Sequence, residues 1–362
     1  MRIRTLFMLA GLATTLSFSS QSHAHEAITF DHTGTVSGHA PIGVMADHMH
    51  KKGEWMVSYR VMHMDMAGNR QGTDGIDPTT IVTTIPNPNA GPATLRVVPT
   101  DMSMDMHMFG TMYAPTDWLT LSAMIDYIEK DMTHITYATP IGTTVLGEFT
   151  THSSGWGDTK LAGLIRLYDD EMHHVHLKTG LSLPTGSIDE EARVLTPANT
   201  TPVLRMPYSM QLGTGTYDFL PGITYTGHKD VWGWGAQYSA EIRLEDENDE
   251  GYAWGDKHQL TTWASYQWAP WISTSARITA TTQQEIKGSD TAITAPVQTA
   301  DPNNYGGQTI DIGLGVNLLG TENNALKGHR LAAEATFPLY RDLNGVQLET
   351  DFQFTLGWQK SF

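Results

Sequence analysis

Apolar and polar residues alternate with a period of two through almost the whole chain, which restricts the fold to sheets with one greasy face. The last fourteen residues, ETDFQFTLGWQKSF, are the clearest case. Phe352, Phe354, Leu356, Trp358 and Phe362 take the even positions; Gln353, Thr355, Gly357, Gln359 and Ser361 take the odd ones. A strand with an apolar face, a small polar face and a terminal Phe fits a barrel whose outside meets lipid. Lys360 interrupts the apolar row, but near a membrane edge its ammonium can reach water.

The same pattern recurs elsewhere. Trp232, Trp234, Ala236, Tyr238, Ala240 and Ile242 oppose Gln237, Ser239, Glu241 and Arg243; Ile310, Ile312, Leu314, Val316 and Leu318 oppose Asp311, Gly313, Gly315 and Asn317. Twelve such segments are expected, near 54–66, 101–113, 118–131, 156–168, 172–184, 213–226, 231–244, 257–268, 271–283, 308–319, 328–340 and 348–362. Their connections alternate long and short, as in outer-membrane barrels with short turns on one rim and long loops on the other. A soluble sandwich shares the alternation. It does not explain why Trp55, Tyr113, Trp118, Tyr225, Trp232, Trp268 and Trp271 crowd the strand ends, as interfacial girdles do. The expected fold is an all-β, antiparallel transmembrane barrel of about twelve strands.

The front of the chain sets the expected compartment. Arg2 and Arg4 precede an apolar run from Leu6 to Phe18, and Ser22-His23-Ala24 has the small-residue spacing of a cleavage site. We expect a signal peptide at 1–24, a His-rich periplasmic segment at 25–53 and an outer-membrane barrel at 54–362. Cysteine is absent, so disulfides and thiolate zinc sites are excluded. The net charge of −17, or −19 without the two leader arginines, argues against a nucleic-acid partner. The expected partners are outer-membrane lipid, small solutes and, as a candidate, copper ions.

Polar parity selects the expected lumen-lining set: Arg60, Asp126, Lys160, Arg166, His174, His176, Lys178, Asp218, Glu241, Arg243, Arg277, Asp311 and Glu334. Such charges cost roughly 2–4 kcal/mol at the lipid midplane for Arg or Lys, which turns them inward. Twelve strands lie between filled eight-stranded barrels and open porins. A narrow channel and a pore plugged by loops or by the N-terminal segment both remain open.

The stretch PTDMSMDMHMFGTMYAP raises a metal question. Met102, Met104, Met106 and Met108 share one side of an extended chain; Asp101, Ser103, Asp105 and His107 share the other. Keeping Asp105 and His107 out of lipid turns the methionines outward, with Met112. The opposite register turns them inward to meet Met62, Met64 and Met124, and the sequence leaves both registers open. Thioethers select Cu(I) among biological metals, but Met is also an adaptable apolar filler. His25, His32, His39, His48 and His50 add imidazoles before the first strand, and a mature chain starting at His25 would put a free amine beside one. The candidate metal ligands are Met62, Met64, Met102, Met104, Met106, His107, Met108, His48 and His50. No cofactor is required; copper is the candidate.

Catalysis finds little support. His152, Ser153 and Ser154 adjoin, but G-x-S-x-G and H-E-x-x-H are both missing from the sequence, so no enzymatic activity is expected. The acidic stretch 243–251 suits either a calcium loop or a solvated surface loop.

The segments GWGDTKLAGLIRLY, LKTGLSLPTGS and MPYSMQLGTGTYDFLPGITY resemble a family of outer-membrane transporters related to the barrel family named for the meta-pathway of phenol degradation. Gly157-Asp158 opening one strand and Leu183-Pro184-Thr185-Gly186 closing the next are the recognisable marks. The resemblance spans the mature chain. It implies a barrel, an outer-membrane location and transport of solutes; the Met/His-rich front end resembles members associated with copper handling. The expected function is a channel or transporter for small solutes linked to copper or another soft metal. The alternatives are an uptake channel for hydrophobic or aromatic compounds and a non-conducting metal-binding surface protein.

Overall fold

A computed structural model describes residues 35–320 and 326–362. The expected signal peptide, together with His25 and His32, lies outside the described residues. Strands run round a single ring in chain order: Trp55–Gly72, Val97–Thr116, Leu119–Tyr137, a strand in two pieces (Val145–Trp156 and Thr159–Asp169), then His173–Leu183. A second divided strand (Asp218–Phe219 and Gly222–Lys229) follows, then Trp232–Arg243, Lys257–Ala269, Ile272–Gln283, Gly307–Leu319 and His329–Ser361. Each pairs antiparallel with the next, and the last returns to Trp55–Gly72, so the ring is closed; beyond it, Val145–Trp156 pairs on one side only, with Leu119–Tyr137.

His329–Ser361 counts twice. Its 33 residues would reach about 110 Å if straight, at about 3.3 Å per residue. Yet Ser361 N donates to Gly328 O at 3.0 Å and Arg330 donates to Gln359 at 2.8 Å. The chain doubles back near Gly345, whose φ of +57° suits a residue without Cβ. One arm pairs with Gly307–Leu319 and the other with Trp55–Gly72. Eleven assigned strands therefore make twelve staves, and each alternating segment of the sequence falls on one of them.

The outer face is apolar. Leu121, Leu161, Leu260, Ile278 and Leu314 are between 45 and 55% exposed, an arrangement that lipid rewards and water does not. Trp55, Trp118, Trp232, Trp268 and Trp271 are exposed beside the short turns, with Trp55 stacked on Tyr113 at 4.4 Å.

The motif Gly157-Asp158 has a structural cause. Asp158 accepts from Gly186 N at 2.9 Å and from Thr214 N at 2.8 Å, pinning the break in the divided stave to the connection that follows the next. Gly186 and Gly213 cross there so closely that a Cβ on Gly213 would lie 2.6 Å from Gly186 O. The glycines permit that crossing and the carboxylate holds it.

The first three strands have 18, 20 and 19 residues, well beyond the roughly 9–11 that cross a bilayer. Their far halves stand clear of the apolar belt. There the outward face carries His63 with Asp105, at 2.8 Å, and His152 with Asp131, at 3.0 Å. This overturns the argument that Asp105 and His107 must turn inward: above the lipid they face water at no such cost. The methionines opposite them consequently face the interior.

Candidate functional site in the barrel interior

Residues 35–50 lie inside the barrel at its short-turn end, so much of the segment expected at 25–53 in the periplasm is instead part of the core. The sequence VSGHAPIGVMADHMH, with Gly38, Pro41 and Gly43, has no regular ladder to satisfy its backbone, and wall side chains do so instead. Ser273 donates to Val36 O at 3.0 Å, Ser265 to Ser37 O at 2.7 Å and Gln237 to Met45 O at 2.9 Å. His176 Nε2 meets Ala46 O at 2.9 Å, Gly43 N donates to Glu334 at 3.2 Å and His50 N to Thr120 at 3.1 Å. Arg330 also donates to Ala40 O. Ala40 and Val44 pack on Trp263. At Gly233 the segment comes so close that a Cβ would lie 1.9 Å from Ser37 O.

Within the segment, Asp47 accepts from Ala40 N at 3.1 Å and from His48 Nδ1 at 2.8 Å. Burial alone would raise its pKa, but His48, Arg330 and His39 outweigh that and hold the carboxyl well below its ordinary value. His39, Asp47 and His48 bring their ligand atoms within 4.8 Å of one another. Burial lowers the His50 pKa, with Glu54 opposing the shift.

Above this plug is a belt of ion pairs. Arg277 Nε donates to Glu334 at 2.8 Å, Lys160 to Asp126 at 3.1 Å, and Arg243 to Asp218 with Glu241 beside it. Arg166 and His174 share Asp169. Arg60 is buried and touches Met45 Sδ; Lys178 lies near Glu241 and Lys160, and Asp311 accepts from Thr309 at 3.4 Å. The parity argument therefore selects side chains that interlock with one another and with the plug.

Over the charged belt, methionines line the first two strands, with Lys130 beside Met104 on the third. Met62 stands opposite Met106, Met64 opposite Met104 and Met66 opposite Met102, while Met108 stands between Arg60 and Asp126. Met102, Met132, Met206, Met210 and Leu348 form one buried cluster with Met66 against it. His107 points the other way and bonds the Tyr59 hydroxyl at 2.7 Å. The pleat thus separates it from Met106 and Met108, and they cannot share one ion. His48 and His50, in the plug, are separate again, their rings 5.0 Å apart. Beside Met64, Met66 and Leu348 is a cavity of about 250 Å³, lined further by Thr281, Thr309, Pro338 and Leu343, with Asp311 and Arg341 as its charged groups.

Long loops roof the other end. Tyr208, Tyr252 and Tyr305 pack edge to face, with ring centres 4.7 Å and 5.7 Å apart, on Ile286, Ile293 and Val297. Lys130 donates to the Ser209 and Gln211 carbonyls and so holds the 206–212 loop down into the lumen. The neighbouring His152 and Ser153 face opposite ways: the imidazole bonds Asp131, the hydroxyl donates to Met210 O at 2.8 Å. In the acidic stretch, Glu245 accepts from Tyr217 N at 2.9 Å while Glu250 pairs with Arg205 at 3.4 Å, so these carboxylates diverge.

Sequence reasoning missed the plug's course and the inward loop at 206–212. The available signals were Gly233, too small for its aromatic surroundings, and Met206 and Met210, which extend the methionine row from a loop.

No protein-family model matches the chain, and no curated protein matches it in sequence. Solved structures do match. An outer membrane channel from Pseudomonas putida F1 is 13% identical, with a TM-score of 0.55 over 88% of this chain and 98% of that one. The P. putida toluene transporter TodX is 10% identical, with a TM-score of 0.43 over 86% and 91%. A Pseudomonas aeruginosa FadL homologue is 7% identical, with a TM-score of 0.43 over 85% and 90%. The resemblance to the phenol meta-pathway family and to a copper-associated branch rests on the sequence marks alone. What the chain shares with the first of these solved structures is its fold, a closed antiparallel barrel.

Proposed function

We propose that this chain is an outer-membrane channel of a Gram-negative cell, exported by its N-terminal leader, that admits small hydrophobic or aromatic compounds. The observation that carries this is the methionine tier. Between plug and roof the wall presents paired thioethers, which adapt to varied apolar shapes and contact aromatic rings favourably. The adjoining cavity of about 250 Å³ has the volume for a single ring, with Met64, Met66, Pro338, Leu343 and Leu348 as its apolar side and threonines, glutamines, Asp311 and Arg341 as its polar side. The P. putida barrel of the same architecture is itself an outer membrane channel, which supports passage rather than surface display. Uptake of monoaromatic compounds into proteoliposomes containing the mature protein, measured against a sugar of similar size, tests the reading. Faster uptake of the aromatic compound alone is expected; equal uptake of both, or of neither, rejects it.

A second reading, passage or capture of Cu(I), is favoured by one observation: three methionine pairs stand face to face on adjacent strands. Thioether sulfur is the side-chain donor that best suits that ion after thiolate. A Cu(I) competition titration beside a variant with Met102, Met104, Met106 and Met108 changed to Leu separates ligands from lining.

A further inference from the structure

We propose that His39, Asp47 and His48 form a binding site for one borderline divalent transition cation, of the Zn²⁺ or Co²⁺ kind, and that the bound cation fastens the plug. The methionine tier plays no part in this site, and the inference does not depend on the channel reading.

Three observations converge on these residues. Their ligand atoms lie within 4.8 Å of one another, so small side-chain rotations would bring them to the roughly 2.0–2.2 Å that zinc makes with imidazole nitrogen and carboxylate oxygen. The donors are already sequestered: His39 and Asp47 are buried, and His48 is largely so. A cavity of about 60 Å³ adjoins Asp47 and His48 on the side of Lys51 and Glu54. It gives a route from the short-turn rim and room for water at an open fourth position.

The surroundings narrow the choice of ion. Arg330 and Arg60 add positive charge close to Asp47, which repels any divalent cation, so the donor atoms must supply the affinity. Two imidazoles and one carboxylate suit ions whose bonds to nitrogen have covalent character, and they disfavour Ca²⁺ and Mg²⁺. Binding would tie residue 39 to residues 47–48 and close the loop that carries Ile42 and Val44 into the core. The plug's own fold would then be part of what the cation stabilises.

The test uses the mature protein in detergent micelles, with Zn²⁺ for calorimetry and Co²⁺ for its visible absorption. One equivalent per chain is expected, lost in His39→Gln and in His48→Gln. It should be retained in His174→Gln, across the cavity, and in a Met64→Leu/Met104→Leu variant. Gel mobility of the unheated barrel checks that each variant is folded. Hydrogen exchange of residues 35–50 supplies a second readout: at free Zn²⁺ ten times its Kd, exchange through plug opening should slow about tenfold in the parent protein and be unchanged in His48→Gln. No binding, equal binding in all variants (an adventitious ion only), or plug exchange indifferent to Zn²⁺ would overturn the proposal.

Discussion

Met64 stands directly across from Met104 on the inward face of neighbouring strands, at the level where the wall changes from ion pairs to thioethers. The pair separates the two functional readings. Replacing both residues by Leu keeps apolar volume and removes sulfur, so uptake of aromatic solutes should change by less than about twofold while any Cu(I) binding at this level is lost. Replacing both by Lys sets two further cations beside Lys130, and uptake of an apolar solute should fall roughly tenfold or more, the equivalent of about 1.4 kcal/mol. Liposome uptake assays on the two double variants, with a Cu(I) titration on the first, check both halves.

Deleting residues 35–50 should turn a poorly conducting barrel into an ion-conducting one. Arg60, Arg277 and Arg330 are each less than 8% exposed, and the plug contributes to that cover. Without it, water reaches the ion-pair belt and the short-turn end of the lumen opens. The ring is closed by strand pairing alone, so the deleted chain should still form a barrel. Planar-bilayer recordings should show larger and steadier current for the deletion than for the full mature chain; equal currents would mean that the roof, not the plug, limits flow.

The staves were legible because their physics is local. A strand with lipid on one side and a polar interior on the other must alternate, and each of the twelve segments did so without help from its neighbours. The plug was legible only as an alternative, and its course not at all. Its residues bond to walls up to 291 positions away, as Gly43 does to Glu334, and nothing in VSGHAPIGVMADHMH encodes those partners. The methionine register stayed open for a different reason. Residues 101–108 alternate perfectly, but the direction depends on where lipid ends along a 20-residue strand, which is a property of the assembled barrel. Likewise the candidate lumen residues followed from parity, whereas their pairing, such as Lys160 with Asp126, required the register of adjacent strands.

Glu334 joins wall and plug: it accepts from Arg277, which reaches it over Gly313 from two strands away on Ile272–Gln283, and from Gly43 N in the plug. Glu334→Leu would leave the Arg277 guanidinium buried without its counter-charge, and removing one member of such a pair costs about 3–5 kcal/mol. Changing both, Arg277→Met with Glu334→Met, removes charge and counter-charge together and should cost markedly less. Urea unfolding in lipid vesicles, followed by tryptophan fluorescence, measures the difference. Equal losses in the single and double variants would show that the plug contact, rather than the ion pair, carries the stability.

The tyrosine roof should loosen in alkali. Burial raises the pKa of Tyr208, Tyr252 and Tyr305 above the ordinary phenol value near 10. All three lie in the connecting loops beyond the apolar belt. A neutral form favoured by folding contributes stability that is fully present below pH 10. It is lost as pH rises from 10 through the folded-state values, because the opened loops release protons that the packed ones retain. Ultraviolet titration of the 13 tyrosines should therefore show exposed phenols ionising first and these three later, together with the loss of loop protection in hydrogen exchange. Replacing Tyr252 by Phe removes one late phenolate and should move the onset of loop opening to higher pH. An onset that stays in place would assign the roof's alkaline limit to Tyr208 and Tyr305.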